Sequence, residues 1–140
     1  LNFTFFTDRD LGKKFPAVLS AAGVTVERHE DHFADNASDE EWLEAIGERG
    51  WVAVTHNLRI RYMPNELDAV IRHRVSLSVV IGKAPLPELA ASFVETLPRI
   101  EAFLSRQTPP FIAKVYRPSP SEAERGDAAG RVELWHPKPP

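Results

Sequence analysis

The chain has 140 residues, 43% of them hydrophobic, which is enough for one buried core and too short for two ordinary domains. It contains no cysteine, which excludes a disulfide framework and a thiolate zinc site, so any metal must be held by oxygen or imidazole. A net charge of -3 supplies no molecule-wide positive field, and a nucleic-acid role must therefore rest on a local basic patch.

The charge is uneven: Arg59, Arg61, Arg72, His73 and Arg74 fall close together, whereas the stretch from Asp31 to Glu48 is dominated by acids. Leu1 to Phe6 is apolar but far too short for a signal peptide, and no later run approaches the roughly 20 residues of a membrane span. The expectation is a soluble, cytoplasmic protein that does not engage membranes.

In chain order, Asn2 to Thr7 is a short β-favouring run that ends in the acidic cluster Asp8-Arg9-Asp10. Phe15, Val18, Leu19 and Ala22 predict a helix that Gly23 stops, and Val24 to Arg28 alternates like a strand. After a polar loop from His29 to Ala37, Ser38-Asp39-Glu40-Glu41 has the capping-box pattern and predicts a helix from about Asp39. Trp42, Leu43, Ala45 and Ile46 form its inward stripe, and Gly50 ends it before the buried-strand run Trp51 to Thr55. Pro64 to Arg74 reads as a third helix, Val75 to Ile81 as a strand, Pro87 to Arg106 as a long helix kinked at Pro98, and Phe111 to Tyr116 as a last strand.

Strands separated by helices of this length imply βαβ units, hence a three-layer α/β/α domain over residues 1–116 with a mostly parallel sheet. From Arg117 the composition turns to Pro, Ser, Glu, Gly and Ala, read as a mobile loop over a tail of residues 117–140, with Arg131 to Trp135 able to add an edge strand. In such folds ligands collect at the carboxyl ends of the strands, and Asp8, Asp10 and Asn57 lie just past two of those ends.

Three groups there carry candidate chemistry. Asp8 sits at a strand end, on rigid backbone and facing solvent, as a magnesium or manganese ligand must; Asp10 reads as a cap opening the first helix. Asp39 shares an i, i+3, i+4, i+7 row with Trp42, Leu43 and Ile46, so it stands either at the top of the packed face as a site residue or simply as a complement to the helix dipole. Glu40, Glu44 and Glu48 form a row with no apolar member, the mark of a solvated face, although Glu40 remains a second choice because a first helical turn can offer two acids to one ion. Glu41 is explained by the capping box.

The third group is Thr55-His56-Asn57-Leu58-Arg59-Ile60-Arg61. Asn57 can ligate a metal or hold water but carries no charge, and Arg9, Arg59 and Arg61 could clamp phosphate oxygens; the alternative is a turn asparagine beside solvated arginines. His29, His32 and His56 lack the helical spacing of a zinc protease and read as loop or surface residues.

Phe5-Phe6-Thr7-Asp8-Arg9-Asp10-Leu11-Gly12, Ser38-Asp39-Glu40-Glu41-Trp42 and Trp51-Val52-Ala53-Val54-Thr55-His56-Asn57, in that order, resemble the PIN-like domain of VapC-type toxins. The likeness covers roughly Phe3 to Tyr116. It implies a Rossmann-like nuclease, dependent on Mg2+ or Mn2+, that cleaves RNA and is neutralised by a cognate antitoxin, as a homodimer or a toxin-antitoxin hetero-oligomer. The family's acidic ligands carry over onto Asp8 and Asp39, with Glu40 as a possible additional member, and its third acid falls on Asn57. That departure leaves reduced activity, a substitute ligand such as Asp10, or loss of catalysis with binding retained. A second reading is accordingly a catalytically weakened RNA- or protein-binding module. A third is a receiver-like signalling domain whose phosphoacceptor position holds Asn57 and cannot form an acyl phosphate.

Overall fold

The computed structural model describes residues 3–139. Its strands are β1 (Thr4–Thr7), β2 (Thr25–Arg28), β3 (Val52–Thr55), β4 (Ser76–Val80), β5 (Phe111–Val115) and β6 (Val132–His136). The helices are α1 (Lys14–Ala21), α2 (Asp39–Arg49), α3 (Pro64–Arg72), α4 (Leu86–Arg106) and α5 (Pro120–Glu124), with single 3-10 turns at Arg9–Leu11, His29–Asp31 and Ile60–Tyr62. All six strands form one sheet in the order β2-β1-β3-β4-β5-β6, parallel throughout except for the antiparallel β5–β6 pair. The fold is the expected α/β class.

Successive side chains on a strand point to opposite faces, and β1 shows how two cores result. Phe5 joins Phe15, Leu19 and Phe93 on the face covered by α1 and α4, while Phe6 joins Trp42, Ile46, Ile60 and Val70 on the face covered by α2 and α3. Every residue of β3 is buried, as expected of a central parallel strand with helices on both sides. Gly50 ends α2 in the left-handed conformation, at φ 69°. Gly47 lets α2 lie close against the end of α3, because a Cβ there would collide with the backbone carbonyl of His73.

The predicted elements recur with ends shifted by a residue or two, as hydrogen bonding rather than hydrophobicity sets the boundary. Phe3 is outside β1, and Asn2, the expected start, lies outside the described residues. α4 runs continuously through Pro98. The larger departure is beyond Arg117. There α5 carries a complete capping box, Ser119 with Glu122, where a mobile loop was expected, while the edge strand expected over Arg131 to Trp135 forms as β6 and pairs with β5. Between them the backbone is tied to α4: Arg99 Nη1 donates to the carbonyls of Ala129 and Gly130 at 3.3 and 2.8 Å, and Gly130 N–H donates to Thr96 Oγ1 at 3.0 Å. Polar anchors, not apolar burial, order this segment, so composition predicted a mobile loop. By contrast, the box expected at Ser38 is half formed, with Glu41 N–H donating to Ser38 Oγ and the Glu41 side chain left exposed.

Candidate active site

From β1 the chain runs outward to β2 on one side, and from β3 onward it builds the other side, so the direction of winding reverses between β1 and β3. The carboxyl ends of two strands that part in this way leave a crevice, the usual ligand position in a doubly wound sheet. β1 ends at Thr7 and delivers Asp8; β3 ends at Thr55 and delivers His56 and Asn57.

Asp8 is buried, at 7% exposure, and caps the turn Arg9–Leu11 by accepting from Arg9 N–H at 2.7 Å. The cap foreseen for Asp10 at the first helix does not form: α1 starts after Lys13 with no side-chain cap. Asp10 instead reaches across to β3 and accepts from His56 N–H at 3.0 Å. Thr55 joins the two acids: its hydroxyl donates towards Asp8 Oδ2 at 2.8 Å and Asp10 Oδ2 at 3.2 Å, and accepts from Asn57 N–H at 3.1 Å. One hydroxyl has one proton, so two carboxylates share a donor that can fully serve only one of them.

Asp39, at the start of α2, completes the acidic side. It is half-buried and accepts from the Trp42 indole N–H at 2.9 Å, as its place on the inward row of α2 predicts. Asp8, Arg9, Asp10, Asp39 and Asn57 line one open depression. The molecule's ion pairs lie elsewhere, and among the described residues none involves Asp8, Asp10 or Asp39. Burial, reinforced by the neighbouring Asp10 and Asp39 charges, pushes the Asp8 carboxyl up to about 6. Burial also raises Asp10, against the opposing pull of its His56 and Thr55 hydrogen bonds, with Asp39 adding to the rise.

Other expected members are placed differently. Asn57 closes a local turn, its Oδ1 accepting from Arg59 N–H at 3.0 Å, while its side chain still borders the depression. Glu40 is exposed and is not among the residues lining the depression. Arg59 is exposed beyond the Asn57 turn. Arg61 leaves the site altogether: its Nε donates to the Trp135 carbonyl at 3.3 Å and its guanidinium covers the Tyr62 ring. His29, read as a loop or surface residue, is 1% exposed among Phe6 and Phe33, and burial lowers its pKa.

Sequence reasoning undervalued Asp10 and passed over Thr55. The signal for both was present, as two acids one residue apart after β1 and a threonine at the matching end of β3, but adjacent strands make them neighbours only once paired.

Oxygen donors alone make up this side-chain set, the chemistry preferred by a hard divalent cation. No group of three or more His, Cys, Asp or Glu side chains among the described residues is arranged to hold a metal. Magnesium nonetheless ordinarily takes only one or two carboxylates and fills its remaining positions with water and phosphate oxygens, so the Asp8–Asp10 pair fits such an ion. The shared Thr55 proton and the raised carboxyls give the pair reason to accept one.

The family model described as PIN like domain matches residues 3–81, more than half of the chain and the whole of this site. No curated protein and no solved structure shows a significant match. No helix among the described residues is long and apolar enough to cross a membrane.

Proposed function

The chain belongs to the PIN-like domain family, and on that premise we propose that it is a divalent-metal-dependent endoribonuclease of the toxin type, held in check by a cognate antitoxin. The observation that carries the nuclease reading is the pair of carboxylates at the β1–β3 crevice, Asp8 buried and Asp10 at its mouth, which share the Thr55 hydroxyl and, among the described residues, form no ion pair. Asp8 and Asp10 would hold Mg2+ or Mn2+, with Asp39 drawing the ion from the third side. When bound, the ion supplies Lewis-acid stabilisation of charge developing on a phosphodiester.

The chain's own residues do the rest. Thr55 keeps the two carboxylates aligned across adjacent strands, and its acceptor bond from Asn57 N–H fixes the loop that follows. Asn57 offers its amide to water or a phosphate oxygen, and Arg9, on the rim, meets the negative backbone of RNA. Asp10 thus takes the place that the toxin pattern gives to the acid now replaced by Asn57.

The amide at Asn57 favours a second reading, a PIN-like module that binds RNA or protein with weakened catalysis. Incubation of the purified chain with labelled single-stranded RNA, with Mn2+ and then with chelator, separates the two. Mn2+-dependent cleavage is expected. Binding without cleavage at any metal concentration would leave the weakened module. Co-purification with the product of the adjacent reading frame, and inhibition by it, is the expected result for the antitoxin.

A further inference from the structure

The sheet is covered unevenly. On β5 and β6, Phe111, Ala113, Val132 and Leu134 turn inward beneath α4, so alternation sends Lys114, Tyr116, Glu133 and Trp135 to the opposite face. The core under α2 and α3 takes in β1, β3 and β4 and Ile112 of β5, and Trp135 packs at its margin, so that Lys114, Tyr116, Glu133 and Trp135 remain half-buried. What lies there is a row of aromatic rings, each with a cation. Arg61 stands 5.3 Å from the Tyr62 ring, Lys114 is 4.5 Å from that of Trp135, and Arg131 is 4.7 Å from that of Tyr116. Tyr62 and Trp135 meet edge to face at 5.8 Å, and Tyr62 is 68% exposed.

We infer that this open β5–β6 face is a platform for single-stranded RNA, on which Tyr62, Trp135 and Tyr116 take bases and Arg61, Lys114 and Arg131 take phosphates. Aromatic faces attract bases of every sequence, and cations spaced between them follow the backbone. In a molecule of net charge -3, Arg61 and Lys114 make a locally positive strip, while Arg131 at its end also faces Glu133 at 3.9 Å and the charge of Glu122. A cation over a ring is also well placed to slide off and pair with a phosphate as a base arrives. The strip starts within reach of the depression that Asn57 borders, because Arg61 is four residues beyond Asn57 and hence no more than about 14 Å along the chain. The inference rests on the reading of the chain as an RNA-cleaving protein and supplies what the acidic depression lacks, a surface that attracts the strand.

The test is fluorescence anisotropy of a short labelled single-stranded RNA of mixed sequence with the full chain in chelator, so that binding is separated from cleavage. Tyr62→Ala, at an exposed position where folding is preserved, should weaken binding by about 5- to 100-fold. Lys114→Gln should reduce the slope of log affinity against log salt by about 0.7. No binding by the wild-type chain, equal binding by Tyr62→Ala, or duplex RNA bound as tightly as the single strand would overturn the platform. So would a wild-type dimer lost in Tyr62→Ala with RNA binding unchanged, which would assign the face to protein contact. The two readings fail separately. Cleavage with Mn2+ together with equal Tyr62→Ala binding removes the platform alone, and Tyr62-dependent binding without cleavage removes the nuclease alone.

Discussion

At the ends of β1 and β3, charges of one sign are crowded into a crevice and served by neutral donors; on the β5–β6 face, charges of the other sign are spread over rings, of which Tyr62 is exposed and Trp135 and Tyr116 are half-buried. The first arrangement opposes folding, since Asp8 is held ionised at neutral pH only against burial and its neighbours. The second costs the fold little, because each cation keeps its water and gains a ring. In the proposed activity, chemistry that needs a fixed ion falls where the sheet forces unlike preferences together, and capture of a flexible chain falls to the edge strands.

The comparison breaks most sharply on activity. Asp8→Ala and Asp10→Ala are each expected to reduce Mn2+-dependent RNA cleavage by about a thousandfold or more, the loss of several kcal/mol of transition-state stabilisation. Glu40→Gln, outside the depression, should leave the rate unchanged. An Asp8→Ala enzyme that cuts at the wild-type rate would remove the site from the crevice.

A stability measurement comes next in size. Because the folded Asp8 carboxyl is raised from 3.8 to about 6, the native state holds a proton that the unfolded chain releases, and stability falls as pH rises through that window. Above it the full cost remains, about 2–3 kcal/mol for a shift of this size. Asp8→Asn keeps one acceptor oxygen for Arg9 N–H, can donate its amide to Thr55 Oγ1, whose proton then goes to Asp10, and removes the charge. In metal-free buffer at neutral pH it should therefore be the more stable protein by about 2 kcal/mol, with a flatter pH profile between 4 and 6. Denaturant unfolding that finds it less stable at neutral pH would show that the carboxylate is not strained.

Metal should relieve the same cost. Mn2+ at about a hundredfold above its dissociation constant should stabilise the wild-type chain by about 2.7 kcal/mol, with a much smaller gain for Asp8→Asn. Equal thermal shifts in the two proteins would place the ion elsewhere.

Asn57→Asp tests the margin of the crevice. The carboxylate can still accept from Arg59 N–H and adds a negative ligand beside the pair, so Mn2+ affinity should rise about tenfold in calorimetric titration at equal pH and ionic strength. Equal or weaker binding would make Asn57 a turn residue only. The Tyr62→Ala experiment examines the other side of the comparison, where no dependence on divalent metal is expected.

Much of this was legible in the residues. The run Trp51 to Thr55, the inward row of α2 and the glycine at position 50 led to the correct order of strands and helices, because periodicity and helix stops are local properties. The likeness of three short motifs led to the PIN-like family. Asp10 was misjudged for a local reason as well: an acid before a helix is usually a cap, and nothing along the chain says that α1 starts without a side-chain cap while Asp10 turns to His56 N–H.

The sequence by itself therefore determined the fold class and the PIN-like family, and it directed the proposed site to the carboxyl ends of β1 and β3. Only the tertiary structure decided that Thr55 binds Asp8 to Asp10, that Arg61 serves Trp135 and Tyr62 rather than the acids, and that the segment between residue 117 and the last strand is ordered by α5 and by bonds to α4. Each of these depends on contacts between residues dozens of positions apart, such as Thr55 with Asp8, Arg61 with Trp135 and Gly130 with Thr96. Periodicity reports which way a side chain faces on its own element; which partner it meets there is set by how the strands are ordered and how the helices pack over them.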